Sequence, residues 1–425
     1  MKKQWGKGTI CVQGGYAPNP GEPRVLPIVQ STTYKYADPD HVAKLFDLTE
    51  AGHMYSRISN PTIAAYEEKV NTLDGGAGAL AASSGQSAIT LALLNICKSG
   101  DHIVASSTIY GGTFTLLSST LKKFGIEVSF VNPSASEEEI IKEFKDNTKV
   151  LYGETIGNPG LNILDFDKFS RIAKKIGVPL VIDNTLATPC LCRPLELGAN
   201  IVVYSSTKYI EGHANSVGGI IVDGGNFDWD NGKFKELVEP DPTYHGISYV
   251  ETFGKAAYIV KARVQLLRDM GPCLSPFNGF LTNLGLETLH LRIERHSSNA
   301  LALAKFLEKH ENVSWVNYPG LEGNSNYELV NKYFSKGASG VLTFGIKGGA
   351  EAGNEFIRNL NLAALVVHIG DARTSVLQPA TTTHRQLSEE EQIASGVYPD
   401  LIRVSVGIED PEDIISDFEQ ALSTL

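Results

Sequence analysis

Lys208 follows three hydroxyl residues, Ser205, Ser206 and Thr207, which themselves follow an apolar run over 201–204. Asp183 closes the run Val181-Ile182 and is followed by Asn184 and Thr185. Three more clusters sit at the ends of apolar runs or just beyond them: Ser83-Ser84-Gly85-Gln86-Ser87, Tyr110-Gly111-Gly112-Thr113 and Glu154-Thr155-Ile156-Gly157-Asn158-Pro159. Taken singly, such residues usually sit in turns or on the surface. Together they place hydroxyls, an aromatic ring, an amide, a carboxylate and a lysine at one recurring position. Each has a task if the ligand is pyridoxal phosphate. The Ser84-Gly85-Gln86 turn opens a helix, and its free N–H groups and positive dipole suit a phosphate. Ser205 and Thr207 add hydroxyl donors. Lys208 would form the Schiff base. Asp183 would keep the pyridine nitrogen protonated, so that the ring serves as an electron sink. Tyr110 can stack flat on the ring.

The elements that must position these residues are legible as an alternation. Short apolar runs begin near Ala79, His102, Ile126, Lys149, Val178, Asn200 and Val217, and helical patterns fill 86–97, 112–124, 136–146 and 165–176. This period predicts a mostly parallel seven-stranded α/β sheet, which binds ligands beyond the carboxyl ends of its strands. The gap from Asn200 to Val217 is too short for a helical crossover, so the last strand is expected to run antiparallel. Asn60-Pro61-Thr62 predicts a helix start, with Ile63, Tyr66, Val70 and Leu73 on one apolar face. Ser136 and Glu139 form a capping-box pattern. Residues 1–60 read as an irregular arm that needs another surface to pack on, such as a second subunit. From about Gly254 long helices take over, dense in Leu over 278–309, followed by strand-like runs at 340–346 and 401–406 and helices near 350–360 and 411–424. The expected division is an arm over 1–60 contacting a neighbouring subunit, a large domain over 61–255, and a smaller α+β domain over 256–425. Gly76-Ala77-Gly78-Ala79-Leu80-Ala81 fits a dinucleotide fingerprint, with Asp101 beyond it. However, a helix precedes it and a strand follows, the reverse of what that motif needs.

Composition narrows the function classes. In 425 residues, 37 Lys+Arg against 48 Asp+Glu give a net charge of −11, a poor balance for binding a phosphate backbone. No nucleic-acid partner is expected. No apolar run follows Met1-Lys2-Lys3-Gln4-Trp5-Gly6, so no secretory leader is read there, and no stretch has a membrane helix's length. The five cysteines are odd in number, and Cys190-Leu-Cys192 has the wrong spacing for zinc. Reduced thiols and a cytoplasmic location are expected. His384 and the other histidines show no metal-ligand spacing, so no metal is expected.

The strand-end motifs are specific enough to carry a resemblance. Val181-Ile182-Asp183-Asn184-Thr185 with Ser205-Ser206-Thr207-Lys208-Tyr209 is similar to the Cys/Met-metabolism family of fold-type I pyridoxal-phosphate enzymes. So are Tyr55-Ser56-Arg57-Ile58-Ser59-Asn60-Pro61-Thr62, Ser83-Ser84-Gly85-Gln86-Ser87-Ala88-Ile89 and Tyr110-Gly111-Gly112-Thr113. The likeness runs from Pro27 to Pro411. Within the family, four segments most resemble the O-acetylhomoserine sulfhydrylase (homocysteine synthase) branch: Glu154–Pro159, Asp223–Trp229, Tyr244-His245-Gly246 and Arg403–Asp410. Segment 224–250 looks like an insertion that the cystathionine enzymes lack.

The resemblance implies an aspartate-aminotransferase-like fold and a role for each matched position. Lys208 would be the Schiff-base lysine and proton shuttle, and Asp183 the partner of the pyridine nitrogen. Asn158 would approach the cofactor's phenolic oxygen and the substrate. Ser84, Gly85, Gln86, Ser205 and Thr207 would surround the phosphate. Tyr55 and Arg57 would reach it from a neighbouring subunit, with Tyr55 also near the substrate. Tyr110 would stack on the ring and assist proton or leaving-group transfer. Arg403, with Thr374, would hold the substrate α-carboxylate, for which a guanidinium fork is well suited. The implied reaction is γ-replacement: O-acetyl-L-homoserine plus sulfide or a thiol gives L-homocysteine or methionine plus acetate, in methionine biosynthesis and trans-sulfuration. The implied assembly is a homotetramer built of dimers. A methionine or cystathionine γ-lyase and a cystathionine γ-synthase share the cofactor residues and stand as alternatives. A binding protein that merely keeps the fold is disfavoured by the intact Lys208, Asp183 and Arg403. Departures from the family pattern are Glu211 where many relatives have Gly, Thr374 where Ser is usual, and Gln378 where His is usual. Together with His368, Gln378 bears on the substrate pocket rather than the cofactor site. His213 reads as structural.

Overall fold

The seven runs form seven strands. In this computed structural model, which describes residues 5–383, 385, 390 and 396–425, they are β1 (Gly78–Ala82), β2 (His102–Ser106), β3 (Glu127–Val131), β4 (Thr148–Glu154), β5 (Leu180–Asp183), β6 (Ile201–Tyr204) and β7 (Gly219–Asp223). They order as β1-β7-β6-β5-β4-β2-β3. β2, β3, β4, β5 and β6 pair in parallel. β7 is antiparallel to both β1 and β6, as the short gap before it requires. The carboxyl ends of β1, β2, β4, β5 and β6 therefore share one rim. Both faces of the sheet are apolar: Leu80, Ile103, Val150, Val181 and Ile201 enter one core, while Ala81, Val104, Leu151, Ile182 and Val202 enter the other. Strands buried on both faces read as the continuous apolar runs seen in the sequence.

The local signals have clear physical counterparts. Asn60 caps the helix Pro61–Asp74 through the N–H groups of Thr62 and Ile63. That helix ends at the left-handed Gly75, directly before β1, which disposes of the dinucleotide fingerprint. The capping box of Ser136 and Glu139 is present. The helix expected over 112–124 changes its hydrogen-bond register twice, into the segments Gly111–Thr115, Leu116–Thr120 and Leu121–Phe124.

A second sheet comprises β8 (Val313–Asn317), β9 (Val341–Ile346), β10 (Ala364–Leu365), β11 (Ser375–Leu377) and β12 (Leu401–Ser405), ordered β10-β11-β12-β9-β8. The helix Pro276–Leu307 joins the two sheets, and its Leu286, Leu289 and Ile293 share a core with β9 and with one face of the large sheet. Residues 257–267 lie within the range read as the second domain, yet they pack on the back of the large sheet. Segment 224–250 packs there too: Trp229 stacks on Tyr258 at 5.2 Å between ring centroids.

The arm corrects one expectation. It holds two helices, Lys7–Gln13 and Pro39–Phe46. Ile10 and Cys11 of the first are buried in this chain's own main core, and Leu45, Met54 and Ile58 form a small cluster of their own. Order therefore begins well before Asn60. The cues are small, an apolar pair at 10–11 and the Asp38-Pro39 cap, and the abundance of Gly and Pro around them hides them. All five cysteines are free, and four are buried. Among the described residues no helix is long and apolar enough to cross a membrane, and no group of three His, Cys, Asp or Glu could hold a metal. His384 lies outside the described residues.

Candidate active site

Five strand ends build the rim. β1 runs into Ser84, which caps the helix Gly85–Leu94 by accepting the N–H of Ser87. The N–H groups of Gly85 and Gln86 are left at a positive helix end, the usual seat of an anion. Gly85 is there for closeness: a Cβ added to it would lie 2.8 Å from Cα of Ser205, at the end of β6. Gln86 keeps its buried Oε1 without a partner among the described residues.

Asp183 and Glu154 are register partners on β5 and β4. Asp183 Oδ1 accepts from the N–H and the hydroxyl of Thr185, and Thr185 Oγ1 accepts the N–H of Ser205 at 2.8 Å. Burial lifts the Asp183 carboxyl to about 6, although the Thr185 bonds oppose the shift. Glu154 is pushed well above its ordinary range, first by burial and then by the charge of Asp183. Its Oε1 accepts the N–H of Tyr110 at 2.8 Å and so fixes the start of that turn. Tyr110 is half exposed, with its ring beside the Gln86 amide across Gly112. The amide of Asn158, at the bend after β4, is half-buried and makes no hydrogen bond among the described residues.

Lys208 Nζ lies 3.4 Å from Nδ1 of His368 and has no carboxylate in ion-pair range among the described residues. Burial, then the positive charge of Arg403, lowers it to about 8. Arg403 stands in the middle of β12 with only 8% of its surface exposed. Among the described residues its guanidinium makes one hydrogen bond, to the Val367 carbonyl at 3.4 Å, and no carboxylate answers its charge. Burial lowers even this guanidinium to about 10. An uncompensated buried cation calls for an anion from outside.

Three expected residues are placed differently. Thr207 Oγ1 donates to the Gly218 carbonyl and accepts the Gly218 N–H, both at 3.0 Å. Its one hydroxyl proton is thus committed to the loop rather than to a phosphate. Thr374 donates to Glu409 Oε2 at 2.9 Å and accepts the N–H of Gly407 at 2.9 Å. That hydroxyl has no proton left for a substrate carboxylate. Gln378 joins Thr381, Ala350 and Pro399 through hydrogen bonds, away from the pocket question raised for it. Glu211 is fully buried and accepts the N–H groups of His213 and Asn215. It pins the turn after Lys208, and His213 donates back to the Glu211 carbonyl. Tyr55 and Arg57 stay exposed, the guanidinium 5.3 Å over the ring, and neither makes a hydrogen bond or ion pair to the rim. The sequence assigns no role to Glu154 or Thr185, and sets His368 only against the substrate pocket. Glu154 had a signal, a charge ending an apolar strand.

The residues present fit pyridoxal phosphate: an anion seat at Gly85 and Gln86 with the hydroxyl of Ser205, unbonded among the described residues, a carboxylate at a strand end, and an amine titrating near neutrality. The comparisons agree. The family model for Cys/Met metabolism PLP-dependent enzymes matches residues 8–423. An O-acetyl-L-homoserine sulfhydrylase of Leptospira meyeri is 50% identical over 100% of this chain and 98% of its own. A homocysteine synthase of Schizosaccharomyces pombe is 47% identical over 97% of both chains. A Campylobacter jejuni crystal structure assigned as an O-acetylhomoserine (thiol)-lyase, which carries a pyridoxyl-lysine monophosphate, superposes with a TM-score of 0.95 at 37% identity, covering 99% of this chain and 100% of that one. MetB from Corynebacterium glutamicum superposes at 0.84 with 33% identity, covering 99% and 98%. With a fold-type I architecture, with Asp183 and Lys208 at neighbouring strand ends of the large sheet and Arg403 of β12 near enough to act on the charge of Lys208, the chain belongs to the pyridoxal-phosphate-dependent enzymes of Cys/Met metabolism.

Proposed function

We propose that the chain catalyses γ-replacement on O-acetyl-L-homoserine, in which sulfide or a thiol displaces acetate to give L-homocysteine or methionine. The observation that carries this reading is Arg403, a buried guanidinium without a carboxylate partner among the described residues, in the electrostatic neighbourhood of the amine of Lys208. An amino-acid substrate supplies the missing carboxylate. The sulfhydrylase and homocysteine synthase names of relatives at 45–50% identity favour replacement over elimination.

The roles divide as follows. Bound pyridoxal phosphate would supply the electron sink that acidifies the substrate's Cα and Cβ protons. The N–H groups of Gly85 and Gln86 and the hydroxyl of Ser205 hold the phosphate, with Ser84 capping the helix. Thr207 locks the loop through Gly218. Asp183 holds the proton at the ring nitrogen, and Tyr110 covers the ring face. Asn158 offers its free amide to the phenolic oxygen. Arg403 clamps the α-carboxylate and orients the substrate. Lys208 Nζ takes the Cα proton and returns it after the thiol has added. An amine titrating near 8 is matched to that work at neutral pH. Tyr55 and Arg57 complete the phosphate site of a second copy, in a cytoplasmic homotetramer built of dimers. The large unit over 61–255 carries the cofactor, and the unit over 256–425 brings Arg403.

The test is kinetic. O-acetyl-, O-succinyl- and O-phosphohomoserine are assayed with and without sulfide. The expected result is homocysteine from the acetyl ester, dependent on sulfide. Release of an oxo acid without sulfide at a comparable rate would make the chain a γ-lyase instead.

A further inference from the structure

His368 lies on the segment between β10 and β11, and that segment is docked on β12 and on the turn that follows β6. The carbonyl of Val367 takes the guanidinium of Arg403. The N–H of Gly370 donates to Ser405 Oγ at 2.8 Å. Gly370 has φ +78, and a Cβ there would sit 2.7 Å from the backbone N of Tyr209, the residue after Lys208. The imidazole is therefore held by backbone that cannot move without disturbing Lys208 or Arg403. Its Nδ1, 3.4 Å away, is the one hydrogen-bond partner of Lys208 Nζ among the described residues. An amine or ammonium donates, so Nδ1 carries the lone pair and the proton sits on Nε2. That Nε2 is buried and has no partner among the described residues. Packing alone would not select a ring with an unsatisfied nitrogen at this place.

We propose that His368 is a positioning residue for Lys208: its Nδ1 accepts from the free amine and holds Nζ in place while the lysine is not bonded to cofactor. The ring stays neutral and able to accept. Burial, then the positive charges of Lys208, Arg403 and Arg373, hold it near 4 against the single opposing charge of Asp371. The inference rests on the reading of Lys208 as the cofactor-bonding lysine.

The test uses enzyme stripped of cofactor. The rate at which added pyridoxal phosphate develops its visible band is followed against pH, because only the neutral amine attacks the aldehyde. A neutral acceptor favours the ammonium form, so its loss lowers the pKa of Lys208. His368→Leu is expected to move the midpoint of the profile to lower pH by about half a unit or more, as befits the loss of a hydrogen bond to a charged group. His368→Asn keeps an acceptor and should return the midpoint toward wild type. Should the leucine variant fail to fold, His368→Ala removes the same acceptor and takes its place. A midpoint that stays put or rises in the acceptor-free variant overturns the inference, even if turnover falls. Borohydride reduction of wild-type holoenzyme separates the two readings. Label on another lysine sinks the role of Lys208, whereas label on Lys208 with an unmoved midpoint sinks only that of His368.

Discussion

Arg403 shows what a residue can reveal once its surroundings are known. A planar guanidinium makes two parallel bonds to a carboxylate, and an ammonium cannot reproduce them. Arg403→Lys is therefore expected to weaken O-acetylhomoserine binding by roughly 1.5–3 kcal/mol, the range for a hydrogen bond to a charged group, while the cofactor's visible band stays in place. An unchanged KM and kcat would remove Arg403 from the site. At this scale the sequence was partly legible. Asp183 could be picked out because it closes an apolar run, and Lys208 because it follows a hydroxyl cluster just beyond one, and burial then shifts both toward neutrality. The partners that Thr374 and Thr207 take within the chain could not be read. Their hydroxyls are committed to Glu409 and Gly218, partners brought near only by strand pairing and loop closure. No residue type discloses which way its proton points. Glu154 was visible as a charge on a buried strand, but its bond to the Tyr110 N–H depends on β4 lying beside β2.

The elements were more legible than the side chains they hold. Period and gap length sufficed for seven strands and for the reversed β7, since a buried parallel sheet leaves continuous apolar runs and a helical crossover needs length. The arm was misread because its helices are short and rest on the body for support, which local pattern does not show. One contact between elements can be tested directly. The helix Gly85–Leu94 begins against the end of β6, and only the missing side chain of Gly85 allows it. In Gly85→Ala the new Cβ meets Ser205 backbone, so the helix start must shift. Overpacking of this kind typically costs about 1–3 kcal/mol. If the helix start is the phosphate seat, cofactor affinity should fall by more than ten-fold while the urea midpoint moves only modestly. Visible titration and denaturation measure the two quantities separately. Undiminished affinity would mean the phosphate sits elsewhere.

At the scale of the whole molecule, one pair of expected site residues makes no hydrogen bond or ion pair to the rim of its own chain among the described residues. Arg57 lies exposed over the Tyr55 ring. They stand in the arm, which is tied to this chain's first long helix through Asn60 and Thr62, so they are held in place rather than loose. A cation and a ring fixed outward fit a surface supplied by another copy, where a phosphate would answer the charge of Arg57. In a two-fold dimer each site would then draw Lys208 from one chain and Arg57 from the other. Two inactive variants should accordingly rescue each other. Lys208→Ala spoils the site of its own chain, and Arg57→Ala spoils the site next door. In a mixed dimer, one site lacks both groups and the other is wild type. Random reassembly of equal amounts makes half of the dimers mixed, so about a quarter of wild-type homocysteine synthesis should return. Each variant refolded alone should stay near the floor. An Arg57→Ala protein with full activity would show that the residue does not bind phosphate. If that variant is impaired, and mixtures with verified subunit exchange never exceed the sum of their parts, then Arg57 serves its own chain and the site is not shared.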